Sequence, residues 1–334
     1  MKLTFFWLAV TVACARGSSV PYADWTHSGS MYVITTPEGA DLAAGVSETG
    51  FPLLVRLHGD GFDFSQAAPK GEDVRFSSGA GEPLACEIEE WDAARGTAAI
   101  WVRVPEIRGN ARQEIRMHWG RAGAGRESGG AAVFDASNGY VSVLHMGDVL
   151  KDEVGTVRPE NAGTLPAPGI VGRGRRFAAG QGIRCGETNT GLPAGSAPHS
   201  LEAWFRAEGP NATIAAWGNE RAQGKVVMQF ASPPHVRTDC YFSNGNIQGG
   251  SRLAMSRWTH VLYAYASGDA RLYVNGVLDG TNSRPSPPLA IASPARMYVG
   301  GWYNTYRFVG DIDAQLISRV ASQVAWEKLQ IEDP

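Results

Sequence analysis

Cysteine is scarce in this chain, four residues in 334, which excludes the disulfide-dense scaffolds that small extracellular domains use in place of a large core. Charge of one sign is missing too. Thirty Lys and Arg stand against 33 Asp and Glu, a formal net charge of -3, and no long Lys/Arg run occurs. A nucleic-acid partner is therefore not expected, because phosphate-backbone binding needs a concentrated basic surface. After the first residues, no apolar run approaches the ~18 residues that a membrane-spanning helix needs. Familiar catalytic motifs are absent as well. There is no Gly-x-Ser-x-Gly and no His-Glu-x-x-His, and Gly172-Arg173-Gly174-Arg175-Arg176 lacks the Lys and Ser/Thr of a phosphate-cradling loop. The seven histidines are scattered without metal-ligand spacing.

What the chain has in quantity is glycine (41), proline (19) and aromatics (10%), a mixture that favours many short strands joined by tight turns. Its length suits two domains, each with its own core. Residues 1–15 read as a signal peptide: Lys2 precedes a short apolar run, and Ala13-Cys14-Ala15 offers a small-residue cleavage pattern. Thr11-Val12-Ala13-Cys14 also loosely resembles a bacterial lipobox, with Thr11 where Leu is wanted, so lipid attachment at Cys14 is the rival reading. Either way the expected location is secreted, periplasmic or cell envelope. With Cys14 removed, Cys86, Cys185 and Cys240 remain. Cys185 with Cys240 is the expected disulfide, and three small buried hydrophobes are the alternative.

Alternation is clear at Ile100, Val102 and Val104, with Trp101 and Arg103 opposite, and at Ile115, Met117 and Trp119, with Glu114, Arg116 and His118 opposite. Both stretches predict half-buried strands. The Gly/Ala/Ser-rich stretch 120–132 reads as a flexible surface connection. The expected division is a β-rich module over 16–135 and a second module over 136–334. In the latter, Trp258 to Tyr265 turns into Ala270 to Val274, and Asn275-Gly276 predicts a type I′ hairpin. A short C-terminal helix is expected over 321–330. The fold class is all-β, a sandwich-like module followed by a jelly-roll sandwich.

Two resemblances sharpen this. Trp258 to Val261, Leu272-Tyr273-Val274-Asn275-Gly276, Val299-Gly300-Gly301-Trp302 and Gly310-Asp311-Ile312-Asp313 resemble the conserved run of laminin G-type, concanavalin A-like domains, over about residues 140 to 332. That likeness implies a sandwich used for sugar and protein ligands, often with calcium, and for glycoside cleavage in some relatives. Asp73-Val74-Arg75-Phe76, Glu87 to Asp92, Ile100 to Pro105 and Met117-His118-Trp119-Gly120 are similar to the bacterial DUF2341 family, a domain of unknown function. Its members occur in exported proteins, often directly before a laminin G-type domain. In longer relatives a TolQ/ExbB-type channel component follows, a part this chain lacks.

The resemblance also directs the search for chemistry. One glycosidase family on this sandwich carries Glu-x-Asp-x-x-Glu along a strand; here Asp311 and Asp313 fill the first two acidic places but Leu316 stands in the third, so the proton donor is missing. Glu87 and Glu89 share a strand face and read as a solvated face beside Trp91. For calcium, the resemblance points to Asp313, although Ala314 replaces the acid usually beside it; calcium is thus allowed rather than expected. For a sugar, aromatic rings with amides, carboxylates or guanidinium groups nearby are the useful features. Trp302, Tyr303, Asn304, Tyr306 and Arg307 concentrate them in one loop, and Trp217, Asn219, Tyr241 and Asn244 add candidates, with core packing the competing role for Trp302 and Tyr241. The expectation is an exported, non-catalytic binding protein for glycan or a surface protein. A structural or adhesive envelope protein is the first alternative, and a polysaccharide hydrolase or lyase the second.

Overall fold

The computed structural model describes residues 21–240, 246–266, 269–283, 288–303 and 305–319. The expected signal peptide with Cys14, the candidates Tyr241, Asn244 and Asn304, and the expected helix over 321–330 lie outside these residues. The chain is nearly all β and forms two compact units, one running to Phe134 and the other beginning at Asp135. No helix among the described residues is long and apolar enough to cross a membrane.

The first unit has two antiparallel sheets. One is ordered His27–Ile34, Arg112–Trp119, Arg75–Ser78, Pro83–Leu84, and the other Ser47–His58, Thr97–Arg108, Cys86–Asp92. The alternating residues behave as their period requires. Ile100, Val102, Val104, Ile115, Met117 and Trp119 are buried and meet Phe51, Leu53, Val55 and Phe76 in one core. The opposite face of the Thr97–Arg108 strand is covered rather than wet. Trp101 is buried, packs edge-on against Phe134 at 5.6 Å and donates from Nε1 to Glu89 at 2.6 Å.

The stretch expected to be a flexible connection is instead strapped to the edge strand Cys86–Asp92. Ser128 Oγ accepts from the Ile88 N–H at 2.7 Å, Gly129 N–H donates to the Cys86 carbonyl at 3.0 Å, and Arg126 donates to the Ile88 carbonyl at 3.1 Å. Small residues here let the backbone lie along an edge that would otherwise expose unpaired groups. Glu87 is correspondingly buried and Glu89 half-buried, so these two do not form the solvated face that their spacing suggests.

The second unit is a sandwich of two larger antiparallel sheets. One is ordered Ile247–Gln248, Val236–Asp239, Lys225–Phe230, Ala212–Gly218, Arg296–Val299, Gly182–Arg184, Glu160–Ala162. The other is ordered Leu165–Pro168, Arg173–Phe177, Gly310–Ser318, His199–Ala207, Thr259–Ala266, Asp269–Val274, Val277–Ser283, with Tyr140–Leu144 also paired to Gly310–Ser318. Asn275 and Gly276 have φ of 48° and 74°, the two left-handed residues of a type I′ turn, and Val274 pairs with Val277 across it.

Between the sheets lie Phe177, Ile183, Leu201, Phe205, Ile214, Met228, Tyr263, Leu272, Val299 and Ile312, all buried. Two sequence expectations are corrected in this core. Trp217 belongs to it: the ring is fully buried, stacks edge-on with His199 at 5.0 Å and donates to the Pro193 carbonyl at 3.3 Å, so it is not a ligand-facing aromatic. The Cys185–Cys240 bridge is not formed. Cys86, Cys185 and Cys240 are buried and not joined to one another, and burial pushes the Cys86 thiol up to about 11 and the Cys240 thiol up to about 12.

Candidate functional site

Side chains alternate across a strand, so residues next to the core-facing Ile183, Met297, Val299, Trp217 and Val226 point to the outer face of the seven-stranded sheet. Register aligns them into rows. Glu160, Arg184, Tyr298 and Ala216 sit opposite one another on successive strands, and Arg296, Gly218 and Lys225 form a parallel row. A hairpin then folds over this face: Gly301–Trp302 pairs with Thr305–Tyr306, placing three half-buried rings, Trp302, Tyr303 and Tyr306, against the fully buried Tyr298. Ring centres lie 5.7 Å apart for Tyr298 and Trp302, 6.3 Å for Tyr298 with Tyr303 and with Tyr306, and 4.9 Å for Trp302 and Tyr303.

The hairpin is seated by glycine and strained at its tip. A Cβ on Gly182 would lie 1.9 Å from a Tyr306 ring carbon, so only the bare backbone leaves room for that ring. Tyr303 has φ of 49°, a left-handed conformation costly for a residue with a Cβ. Contacts hold it there. Arg296 lies 4.2 Å over its ring and its hydroxyl accepts from the Glu220 N–H at 3.2 Å.

Charge around the rings comes in pairs. Arg184 Nε lies 3.1 Å from Glu160 Oε2, Arg296 Nε 3.1 Å from Glu187 Oε2, and Lys225 Nζ 2.9 Å from Glu220 Oε1. Two carboxylates also hold the aromatics, since Tyr298 donates from its hydroxyl to Glu187 and Trp302 from Nε1 to Glu220. Burial works against the Glu220 carboxylate, but hydrogen bonds from Lys225 and Trp302 and the Lys225 charge hold its pKa below the ordinary range. Burial, then the Glu187 hydrogen bond and charge, push the Tyr298 phenol well up. The result is a patch of ring faces bordered by ordered donors and acceptors.

Of the loop candidates, Trp302, Tyr303 and Tyr306 thus come together, while Arg307 is exposed just beyond the hairpin. Asn219 serves the neighbouring turn: its amide donates to the Pro294 carbonyl at 3.1 Å and its N–H to the Gly224 carbonyl at 2.8 Å. Sequence reasoning missed Tyr298, Glu220, Lys225, Glu187, Arg296 and Arg184. The i, i+2 spacing of Arg296 and Tyr298 ahead of Gly300-Gly301 was the readable signal for two of them.

Asp313, where the resemblance allows calcium, is tied into the fold through one of its oxygens. Asp313 is fully buried, and its Oδ2 accepts from the Ile170 and Val171 N–H groups at 2.7 and 2.8 Å, fastening the turn at 169–172. A Cβ on Gly169 would lie 2.3 Å from that oxygen, so the backbone packs closely on that side of the carboxylate. Burial raises its pKa, opposed by the Val171 and Ile170 N–H groups and by His145. Two other acids of this sheet are also committed. Asp311 accepts from Arg206 at 2.8 Å and Arg176 at 3.4 Å, and Glu202, directly opposite Leu316, sits 2.9 Å from His260 Nε2.

The first unit carries a separate apolar cleft of about 340 Å³, between edge residues Met31 and Leu57 and floored by Met117, Trp119 and Phe62. His58 and Asp60 stand on its lining.

Residues 179–324 match the family described as Concanavalin A-like lectin/glucanases superfamily, and residues 70–142 match Domain of unknown function (DUF2341). The chain therefore carries a DUF2341 segment followed by a concanavalin A-like domain, in the order its motifs lead one to expect. No curated protein has a sequence that matches it. Among solved structures it is similar to domain 4 of the extracellular arabinanase AbnA from Geobacillus stearothermophilus, solved with arabinotriose, at 17% identity and a TM-score of 0.45, covering 57% of this chain and 97% of that one. It is also similar to the Ruminococcus gnavus sialidase carbohydrate-binding module bound to sialyllactose, at 15% identity and a TM-score of 0.38, covering 50% of this chain and 98% of that one. The binding domain of Paraclostridial Mosquitocidal Protein 1 is matched at 13% identity and a TM-score of 0.46, over 57% of this chain and 51% of that one. These are likenesses of fold.

Proposed function

We propose that the chain is an exported, non-catalytic glycan-binding protein whose contact surface is the aromatic hairpin on the outer face of the seven-stranded sheet. One observation carries the reading: Trp302, Tyr303 and Tyr306 are held half-exposed by Gly182, Arg296 and Glu220 instead of packing into the core. Apolar ring faces complement the C–H faces of sugars, and the bordering carboxylates and guanidinium groups supply partners for hydroxyls. The commitment of Asp311, Asp313 and Glu202 to protein partners supports binding over glycoside cleavage, which needs a free acid and a second free carboxylate. Export rests on the leader-like residues 1–15.

A glycan array with the purified mature chain tests this, run with calcium and with chelator and repeated with Trp302→Ala. Binding that survives chelation and falls about tenfold in the variant is expected, the loss of roughly 1.4 kcal/mol of ring contact. A folded protein that binds no glycan would redirect the reading to the adhesive alternative.

A further inference from the structure

We infer that the ligand of the aromatic hairpin is an uncharged oligosaccharide and not a sialylated, uronic or sulfated one. This rests on the glycan reading and adds the ligand's chemical class. Anionic sugars are recognised by a guanidinium or ammonium group whose hydrogen-bonding fork is open to the incoming carboxylate or sulfate. On this face the three cations that border the rings are already paired. Arg184 is paired with Glu160, Arg296 with Glu187 and Lys225 with Glu220, so three cations are matched by three carboxylates around the rings.

Two of these pairs, those of Arg296 and Lys225, are not loose surface contacts that a ligand could simply exchange. Glu187 also accepts from the hydroxyl of the fully buried Tyr298, and Glu220 from the Trp302 indole. The Arg296 guanidinium is stacked on Tyr303, and the Lys225 ammonium lies 5.6 Å from the Trp302 ring centre. Swinging Arg296 or Lys225 toward an anion would break a pair and undo the seating of a ring at the same time. An intruding anion would also face the carboxylates of Glu160, Glu187 and Glu220 at close range. A neutral sugar meets none of these costs, since paired guanidinium and carboxylate groups still offer donors and acceptors to vicinal hydroxyls. Arg307 is an exposed arginine just beyond the hairpin and outside these pairs, and is therefore one residue by which an anionic ligand would betray itself.

The test is calorimetric titration of the mature chain with two probe sets. The neutral set is arabino-, xylo-, manno- and gluco-oligosaccharides, and the anionic set is sialyllactose, oligogalacturonate and a sulfated oligosaccharide. Each is run at low and high salt and repeated with Trp302→Ala and Arg307→Ala. Binding confined to neutral probes, changing less than about twofold with salt and weakened about tenfold by Trp302→Ala, is expected. Binding confined to anionic probes, weakened by salt and by Arg307→Ala, overturns this inference and leaves the glycan reading intact. Failure of both probe sets with a folded protein overturns both.

Discussion

Gly182→Ala isolates the seating of the hairpin from the inventory of groups on it. Gly182 lies in a short strand paired on both sides and has no left-handed φ, so its backbone accepts alanine. By itself such a change stabilises a protein by about 0.4–1 kcal/mol, through the lost freedom of the unfolded chain. Here the new methyl would lie 1.9, 2.2 and 2.7 Å from three carbons of the Tyr306 ring, so either the ring leaves or the strand bends. Overpacking of this kind costs about 1–3 kcal/mol. Urea unfolding of the variant should therefore show a net loss of about 1–2 kcal/mol, and glycan affinity should fall about tenfold as the displaced ring takes its neighbours with it. The decisive comparison is a double-mutant cycle with Tyr306→Ala. In that background the clash is gone, and Gly182→Ala should become neutral or stabilising. Equal destabilisation in both backgrounds would refute the idea that Tyr306 rests on Gly182.

Trp217→Ala should cost about 3–5 kcal/mol in the same assay because it empties a closed part of the core, and a loss of binding without a loss of stability would place the ring at the site instead. His199 is buried and, by desolvation, its pKa is lowered to about 4. An unfolded histidine takes up its proton near pH 6.5, so the unfolded state gains as pH falls from 6.5 to about 4, and wild type should lose about 3 kcal/mol more than His199→Phe over that window. Equal pH dependence of the two proteins in denaturant titrations would contradict this. Ellman's reagent should leave Cys86, Cys185 and Cys240 unmodified in the native protein and modify all three in guanidinium, under non-reducing conditions; a missing pair would reveal a disulfide.

Strand periodicity, the Asn275-Gly276 turn and the two family likenesses were legible because each depends on neighbours in sequence. The aromatic hairpin was legible as a composition, Trp302 to Arg307, but its setting was not. Tyr298, Glu187, Lys225 and Glu220 reach it through pairing of strands that lie far apart along the chain, and register is fixed by the whole sheet rather than by any local pattern. Trp217 misled for the opposite reason. It precedes Gly218-Asn219, which reads as a loop, yet it lies on a strand opposite the core residue Met297 and faces inward with it. Asp313 kept its family position while its carboxylate was diverted to a local turn by Gly169, a contact more than a hundred residues away in sequence.

The strand Gly310–Ser318 joins three others, Tyr140–Leu144, Arg173–Phe177 and His199–Ala207, all made long before it. A growing chain that has not reached it holds these strands with open edges and no neighbour to close them, the condition that invites association between chains. A second unit truncated before Gly310 would therefore lack the strand that joins these three, and exposed strand edges are what it would offer to other chains.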